Sequence, residues 1–157
     1  MKLEHYLTDT FNFNNAATRQ LITGIAQLPE KGEALKLLSH VIHCQDKWMA
    51  RIVHDPNETR LAWWGPTFPE DKVGSEWNRS VRSWLEYLAR TTEAELGQDL
   101  LFMGGDGARY ATTAGDIALH INYHCINHRA QVLTIFRQQG VAVVVDDLIR
   151  TKLRRLD

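Results

Sequence analysis

The sequence predicts an all-α protein: an antiparallel four-helix bundle with a small β-hairpin before the last long helix and a short C-terminal helix. Three observations lead to this class. Four long segments repeat apolar residues at helical spacing. The prolines fall at segment ends or in one loop, and a single glycine-rich turn is typical of a hairpin. At 157 residues the chain has room for one domain, residues 1–157.

Prolines bound the first two helices. Apolar residues at spacings of three, four or seven predict a first helix over residues 3–28, which ends at Pro29. Gly32 marks the short turn that follows. The same spacing predicts a second helix over residues 33–54, which ends before Pro56.

A long loop and a third helix come next. The loop is predicted over residues 55–74, and Ser75 is the predicted N-cap of a helix that runs to about Thr92. Beyond this helix, short apolar runs flank a Gly-Gly-Asp-Gly sequence. This pattern predicts a β-hairpin over residues 99–111.

The last long helix has signals at both ends. Thr113 is its predicted N-cap, and Gly140 is its predicted C′ residue. Residues 142–145 form an extended apolar stretch. Residues 146–156 are predicted to form a short, basic, amphipathic helix.

Composition excludes some partners. The net charge is -1, from 18 basic and 19 acidic residues, so the protein has no long-range positive electrostatic field that would attract phosphate backbones. We therefore expect no nucleic acid as a partner. Cys44 and Cys125 are too few for a disulfide scaffold. No window is apolar enough for a membrane span or a leader, so we expect a cytoplasmic protein without a membrane partner.

Three histidines recur at four-residue intervals on the last long helix: His120, His124 and His128. At about 100° per residue, His124 and His128 fall in the middle of the apolar face, and His120 falls at its margin. Two imidazoles at i and i+4 can reach one metal ion. They can also be hydrogen-bonded core histidines, and spacing alone favours that interpretation.

The second helix carries further candidates. His40 lies at the edge of its apolar arc, whereas His43 points to the opposite side, so His40 is better placed to reach the bundle interior. Cys44, one turn after His40, is a candidate fourth ligand. The pattern favours the alternative, a small residue that fills the core.

The order of these segments resembles the DinB/YfiT family over nearly the whole chain. Leu37-Leu38-Ser39-His40-Val41-Ile42, ending in Trp48, is similar to the family's LLSHI…W helix. The segment from His120 to Gln131 is similar to its three histidines followed by Arg-Gly-Gln, although Ala130 replaces the usual glycine. The resemblance implies a four-helix bundle, often a homodimer, with one metal site. Its implied ligands in this chain are His40, His124 and His128.

The resemblance also implies relatives that transfer low-molecular-weight thiols or isomerise with a thiol cofactor. Three neutral imidazoles leave a divalent ion (zinc, nickel or iron) with open positions, as in catalytic sites. We therefore expect a metal-dependent transferase of a low-molecular-weight thiol to a small electrophile, with no general base assigned. The candidates for binding the small-molecule substrate are Trp63, Trp64, Tyr123 and Asn127. Two alternatives stay open: a non-catalytic metal or small-ligand-binding module, and a bundle whose histidines are purely structural.

Overall fold

The computed structural model describes residues 2–156, which are mostly helical. Its elements in chain order are α1 (Leu3–Gly24), α2 (Gly32–Ile52), α3 (Glu70–Arg90), α4 (Glu93–Leu96), β1 (Asp99–Met103), β2 (Arg109–Thr113) and α5 (Ala114–Gln138). Short 3₁₀ turns lie at Ile25–Gln27, Glu58–Arg60 and Leu148–Lys152. Helix α1 packs against α3 and α5, and α2 packs against the same two helices.

Two of these four helix pairs run antiparallel, as the sequence predicts. Between α1 and α3, residues later in α1 contact residues earlier in α3. The same holds between α2 and α5. The contacts are Phe11 with Trp84, Asn15 with Trp77, His40 with His128, and Trp48 with His120.

The other two pairs run parallel, which corrects the expected antiparallel arrangement. In α1 with α5, and in α2 with α3, a later residue of one helix contacts a later residue of the other. The contacts are Asn14 with Asn122, Thr18 with Cys125, Lys31 with Glu70, and Asp46 with Arg79. Helices α2 and α3 follow each other in the chain, so the segment between them must return along the length of α2.

That return segment, residues 53–69, lies along the side of α2, in place of the loop predicted over residues 55–74. Successive parts of it contact progressively earlier residues of α2. Lys47 contacts Glu58 and Leu61, His43 contacts Pro66, and Ser39 contacts Phe68. A connection between antiparallel helices needs about two to eight residues, and a parallel pair explains the greater length here.

The helix termini match the sequence signals in part. Thr113 accepts a hydrogen bond from the backbone of Asp116, and Gly140 has a φ of +71°, so both predicted caps of α5 are confirmed. Helix α3 begins at Glu70 after Pro69, and not at Ser75. Glu70 and Asp71 place negative charge in the first turn, which favours a helix start at this point.

The hairpin is confirmed, and a short helix that the sequence analysis missed precedes it. Strands β1 and β2 pair antiparallel, with Leu101 opposite Ala111. Helix α4 is a single turn closed by a capping box between Thr92 and Glu95.

The predicted helix over residues 146–156 is wrong, since the structure has only the 3₁₀ turn Leu148–Lys152 there. Three of the four apolar residues of this segment are exposed: Ile149, Leu153 and Leu156. A short helix is marginal in water unless its apolar face is packed. Without such packing the amphipathic pattern does not produce a helix.

Two clusters of buried apolar residues form the core between the long helices. One contains Ile42, Trp77 and Phe136, and the other contains Phe11 and Trp84. Within residues 2–156, no helix is long and apolar enough to cross a membrane.

Candidate metal centre

Three imidazole rings from two helices meet between α2 and α5. The ring centre of His40 lies 5.0 Å from that of His124 and 4.8 Å from that of His128. The two α5 rings lie 4.5 Å apart. The antiparallel packing of α2 on α5 thus brings His40 opposite two histidines that are one turn apart.

The tightest group of donor atoms includes a cysteine. Ligand atoms of His40, Cys44 and His124 all lie within 4.8 Å of one another. The Cys44 sulfur is 3.6 Å from Nδ1 and 3.7 Å from Nε2 of His40. His128 is outside this tightest group, although its ring contacts both histidine rings. A His-Cys-His cluster that can hold a metal ion is therefore present.

Hydrogen bonds orient two of the three imidazoles. Nδ1 of His40 donates to the carbonyl oxygen of Trp63 at 2.7 Å, and Nδ1 of His128 donates to Oε1 of Gln131 at 3.0 Å. A proton held on Nδ1 leaves the lone pair on Nε2. Metal-binding histidines are typically fixed in this way, by an acceptor at the nitrogen that does not bind the metal.

The third imidazole has a buried nitrogen that is not satisfied. Nδ1 of His124 is buried and has no hydrogen-bond partner among residues 2–156. A buried polar atom without a partner costs free energy, of the order of 1–3 kcal/mol. A metal ion would supply the missing partner, so the donor set fits the metal that the resemblance implies.

Burial keeps these histidines in the form that binds metal. Burial, followed by the charges of His128, His40 and His120, lowers the pKa of His124 to about 4. Burial also lowers the pKa of His40, against an opposing effect of its bond to the Trp63 carbonyl. Burial raises the pKa of the Cys44 thiol to about 12. Near pH 7, when no metal is bound, His40 and His124 are therefore neutral imidazoles and Cys44 is a neutral thiol.

The two loop tryptophans lie in different environments. The indole of Trp64 stacks on His40, with ring centres 3.6 Å apart and 7° between the planes, and is 54% exposed. The indole of Trp63 packs on Trp48 at 5.4 Å and beneath the cations of Lys47 and Arg51. Trp64 thus contacts the histidine cluster directly, whereas the Trp63 ring fixes the loop to α2.

A partly buried carboxylate between two buried cations fixes the first part of the same loop. The carboxylate of Glu58 lies 3.1 Å from Nζ of Lys47 and 2.7 Å from Nε of Arg51. Burial raises the pKa of Glu58, but the hydrogen bonds and charges of the two cations outweigh this effect and lower it. The loop that carries the Trp63 carbonyl is therefore held near its start by Glu58 and near its end by the hydrogen bond from the Phe68 backbone to Ser39.

The remaining candidates lie around this cluster. His43 donates through Nε2 to the carbonyl oxygen of Pro66 at 2.9 Å, so it supports the loop. The His120 ring lies 5.7 Å from that of His124. Tyr123 is 60% exposed, and Asn127 is also exposed on α5. Their predicted part in substrate binding stays a prediction.

Two side chains of this site have only weak sequence signals. The pattern favours core filling for Cys44, although its position one turn from His40 also makes it a candidate ligand. Gln131 lies three residues after His128, a spacing that places two side chains on one helix face. The Trp63 carbonyl had no sequence signal, since any residue supplies a backbone oxygen.

Comparison with known proteins gives one match. No curated protein and no solved structure matches the chain. The family model of the DinB superfamily matches residues 29–132, which include α2, the return segment, α3 and the histidine run of α5. The matched residues make up more than half of the sequence and contain every member of the histidine cluster, so this chain belongs to the DinB superfamily.

Proposed function

We propose that this protein binds one divalent metal ion through His40, His124 and His128, and that it transfers a low-molecular-weight thiol to a small electrophile. The observation that carries the metal site is the buried, unpartnered Nδ1 of His124 beside two imidazoles oriented by acceptors. Zinc, nickel and iron all suit such ligands. When bound, the ion would stabilise a substrate thiol as its nucleophilic thiolate at neutral pH.

The residues of this chain have distinct parts in that proposal. The Trp63 carbonyl holds His40 in one tautomer and one orientation. The half-exposed Trp64 ring covers one face of His40 and forms an apolar wall for the electrophile. Tyr123 and Asn127 would position substrate from the exposed side of α5. The four long helices would form a bundle that supports the site, in a homodimer located in the cytoplasm.

Elemental analysis of protein purified without a polyhistidine tag tests the metal site. We expect about one zinc, nickel or iron per chain, as for a single mononuclear site. His124→Ala and His128→Ala should abolish metal binding. His5→Ala is the matched control, because His5 is exposed on α1 and lies outside the cluster. Full metal content in both cluster variants would refute the site.

Turnover separates the enzyme from a binding module. Glutathione and an activated aryl chloride are incubated with metal-loaded protein, with chelated protein and with the His124→Ala variant. A rate above background that depends on both metal and His124 supports the transferase. Stoichiometric metal without any turnover favours a module that binds a metal or small ligand. If the protein binds no metal, the remaining hypothesis is that its histidines are purely structural.

A further inference from the structure

Cys44 is buried against the histidine cluster and lacks a strong partner of its own. Its side chain is 4% exposed, and its sulfur lies 3.9 Å from the Trp63 carbonyl oxygen, at the outer limit for a sulfur hydrogen bond. The shorter approaches are to the ring nitrogens of His40, at 3.6 and 3.7 Å. The thiol thus lies nearest to a group that is itself a proposed metal ligand.

These distances match those between two ligands of one metal ion. Zinc binds imidazole nitrogen at about 2.0–2.1 Å and thiolate sulfur at about 2.3 Å, so tetrahedral geometry separates the two donors by about 3.5 Å. The observed separation between the Cys44 sulfur and Nε2 of His40 is 3.7 Å. One ligand atom each of His40, Cys44 and His124 lies within 4.8 Å of the other two. The more distant donors must approach by about 1 Å for all three to bind one ion.

The second cysteine offers a contrast inside the same chain. Cys125 is equally buried, but its sulfur lies 3.6 Å from Oγ1 of Thr18, on the side of α5 that faces α1. It is no member of the donor-atom group formed by His40, Cys44 and His124. Both cysteines are buried, so Cys44 differs from Cys125 by its position beside the histidine cluster. Cys125 therefore serves as the matched control.

We propose that the thiolate of Cys44 is a fourth protein ligand of the resting metal site. This inference rests on the proposed metal site and adds to it. On metal binding the thiol proton of Cys44 would pass to solvent, and Cys44 would hold the ion as a thiolate beside His40, His124 and His128. A substrate thiol that replaced Cys44 would give its proton to the Cys44 sulfur as that sulfur leaves.

Cobalt(II) is the probe for this ligand, since a thiolate bound to it gives an intense near-ultraviolet charge-transfer band. Wild-type protein and Cys125→Ser should show the band at one cobalt per chain. Cys44→Ser should lack it and bind cobalt at least about tenfold more weakly, on the scale of losing a site residue. X-ray absorption of the zinc-loaded wild type provides a second measurement that needs no variant. It should detect one sulfur at about 2.3 Å.

The outcomes separate this inference from the proposed function. The Cys44 ligand is refuted if one cobalt per chain binds and depends on His124 and His128, but no thiolate band and no sulfur neighbour of zinc is observed. That result does not refute the proposed metal site. A band that persists in Cys44→Ser and disappears in Cys125→Ser also overturns it. Failure of the wild type to bind cobalt or zinc refutes the proposed function, and the Cys44 ligand with it.

Discussion

The indole of Trp64 lies flat on the imidazole of His40, at 3.6 Å between ring centres and 7° between planes. One ring is more than half exposed and the other is buried in the histidine cluster. The ammonium of Lys36 lies 5.8 Å from the same indole. The residue that covers the candidate metal centre thus stacks on His40 and lies edge-on to the His128 ring at 6.4 Å, in a loop that returns along α2.

Trp63 and Trp64 should respond differently to alanine substitution. Trp64→Ala should change the free energy of unfolding by no more than about 0.5 kcal/mol, as for surface positions, and lower turnover or ligand affinity. Trp63→Ala removes the packing on Trp48, Lys47 and Arg51 and should cost about 1–3 kcal/mol, below the value for a fully buried ring. Thermal melts and activity per folded molecule measure both. If Trp64→Ala binds ligand as the wild type does but loses stability or dissociates a dimer, then Trp64 does not form an apolar wall for the substrate.

Glu58→Gln should destabilise the protein and weaken its metal binding. The change leaves the buried cations of Lys47 and Arg51 without their carboxylate, at a cost of about 1–3 kcal/mol given partial exposure. The loop that positions the Trp63 carbonyl should loosen as well. The control is Glu70→Gln, which removes a more exposed ion pair with Lys31 and should cost about 0–1 kcal/mol. Equal effects of the two variants in urea denaturation would show that the Glu58 pair does not fix the loop.

Acid should destabilise the metal-free protein through its buried histidines. Burial and neighbouring histidines lower the pKa of His124 from 6.5 to about 4, and burial lowers the pKa of His40. Between these pH values the unfolded chain binds more protons than the folded chain. The contribution to stability is therefore fully present above pH 6.5 and is lost as the pH falls toward 4.

Urea denaturation of chelated protein at stepped pH measures this loss. His124→Ala should flatten the dependence in that window, whereas His5→Ala, at an exposed position, should leave it unchanged. An unfolding free energy that stays constant across the window in the wild type would contradict the prediction.

Gly65→Ala should displace the loop from α2. A methyl group at this position would lie 2.7 Å from Nε2 of His43, the atom that donates to Pro66. We expect weaker cobalt binding, because the Trp63 carbonyl and Trp64 belong to the same loop. Adding His43→Ala removes the clash and should restore most of the affinity, while His43→Ala alone should lose less than about tenfold. The two single variants and the double variant form a thermodynamic cycle. A double variant as weak as Gly65→Ala would show that the clash is not the cause.

Removal of metal should leave the helices folded. The two apolar clusters contain large buried side chains from all four long helices, so helix packing does not depend on an ion. The far-ultraviolet circular dichroism of the protein should be the same before and after chelation. A collapse of the helical signal on adding chelator would make the metal structural.

The sequence by itself determined the number and type of the main elements and the caps of α5. Thr113 and Gly140 act within one turn of the chain, where local hydrogen bonds and backbone preference decide the conformation. The four-residue spacing of His124 and His128 also determined that they share one helix face, because helix geometry is fixed. The family resemblance, now confirmed by the superfamily match, added His40 to the same candidate site.

Only the tertiary structure decided how these pieces meet. Periodicity gives the apolar face of a helix but not its direction relative to a neighbour, so the parallel pairing of α2 with α3 was not predictable. That pairing sends residues 53–69 back along α2, which brings the Trp63 carbonyl to His40 and stacks Trp64 on its ring. Cys44 joins the donor group because α5 places His124 opposite it. Contacts between residues far apart in the chain depend on the packing of whole helices, and that packing determines which side chains surround the histidines.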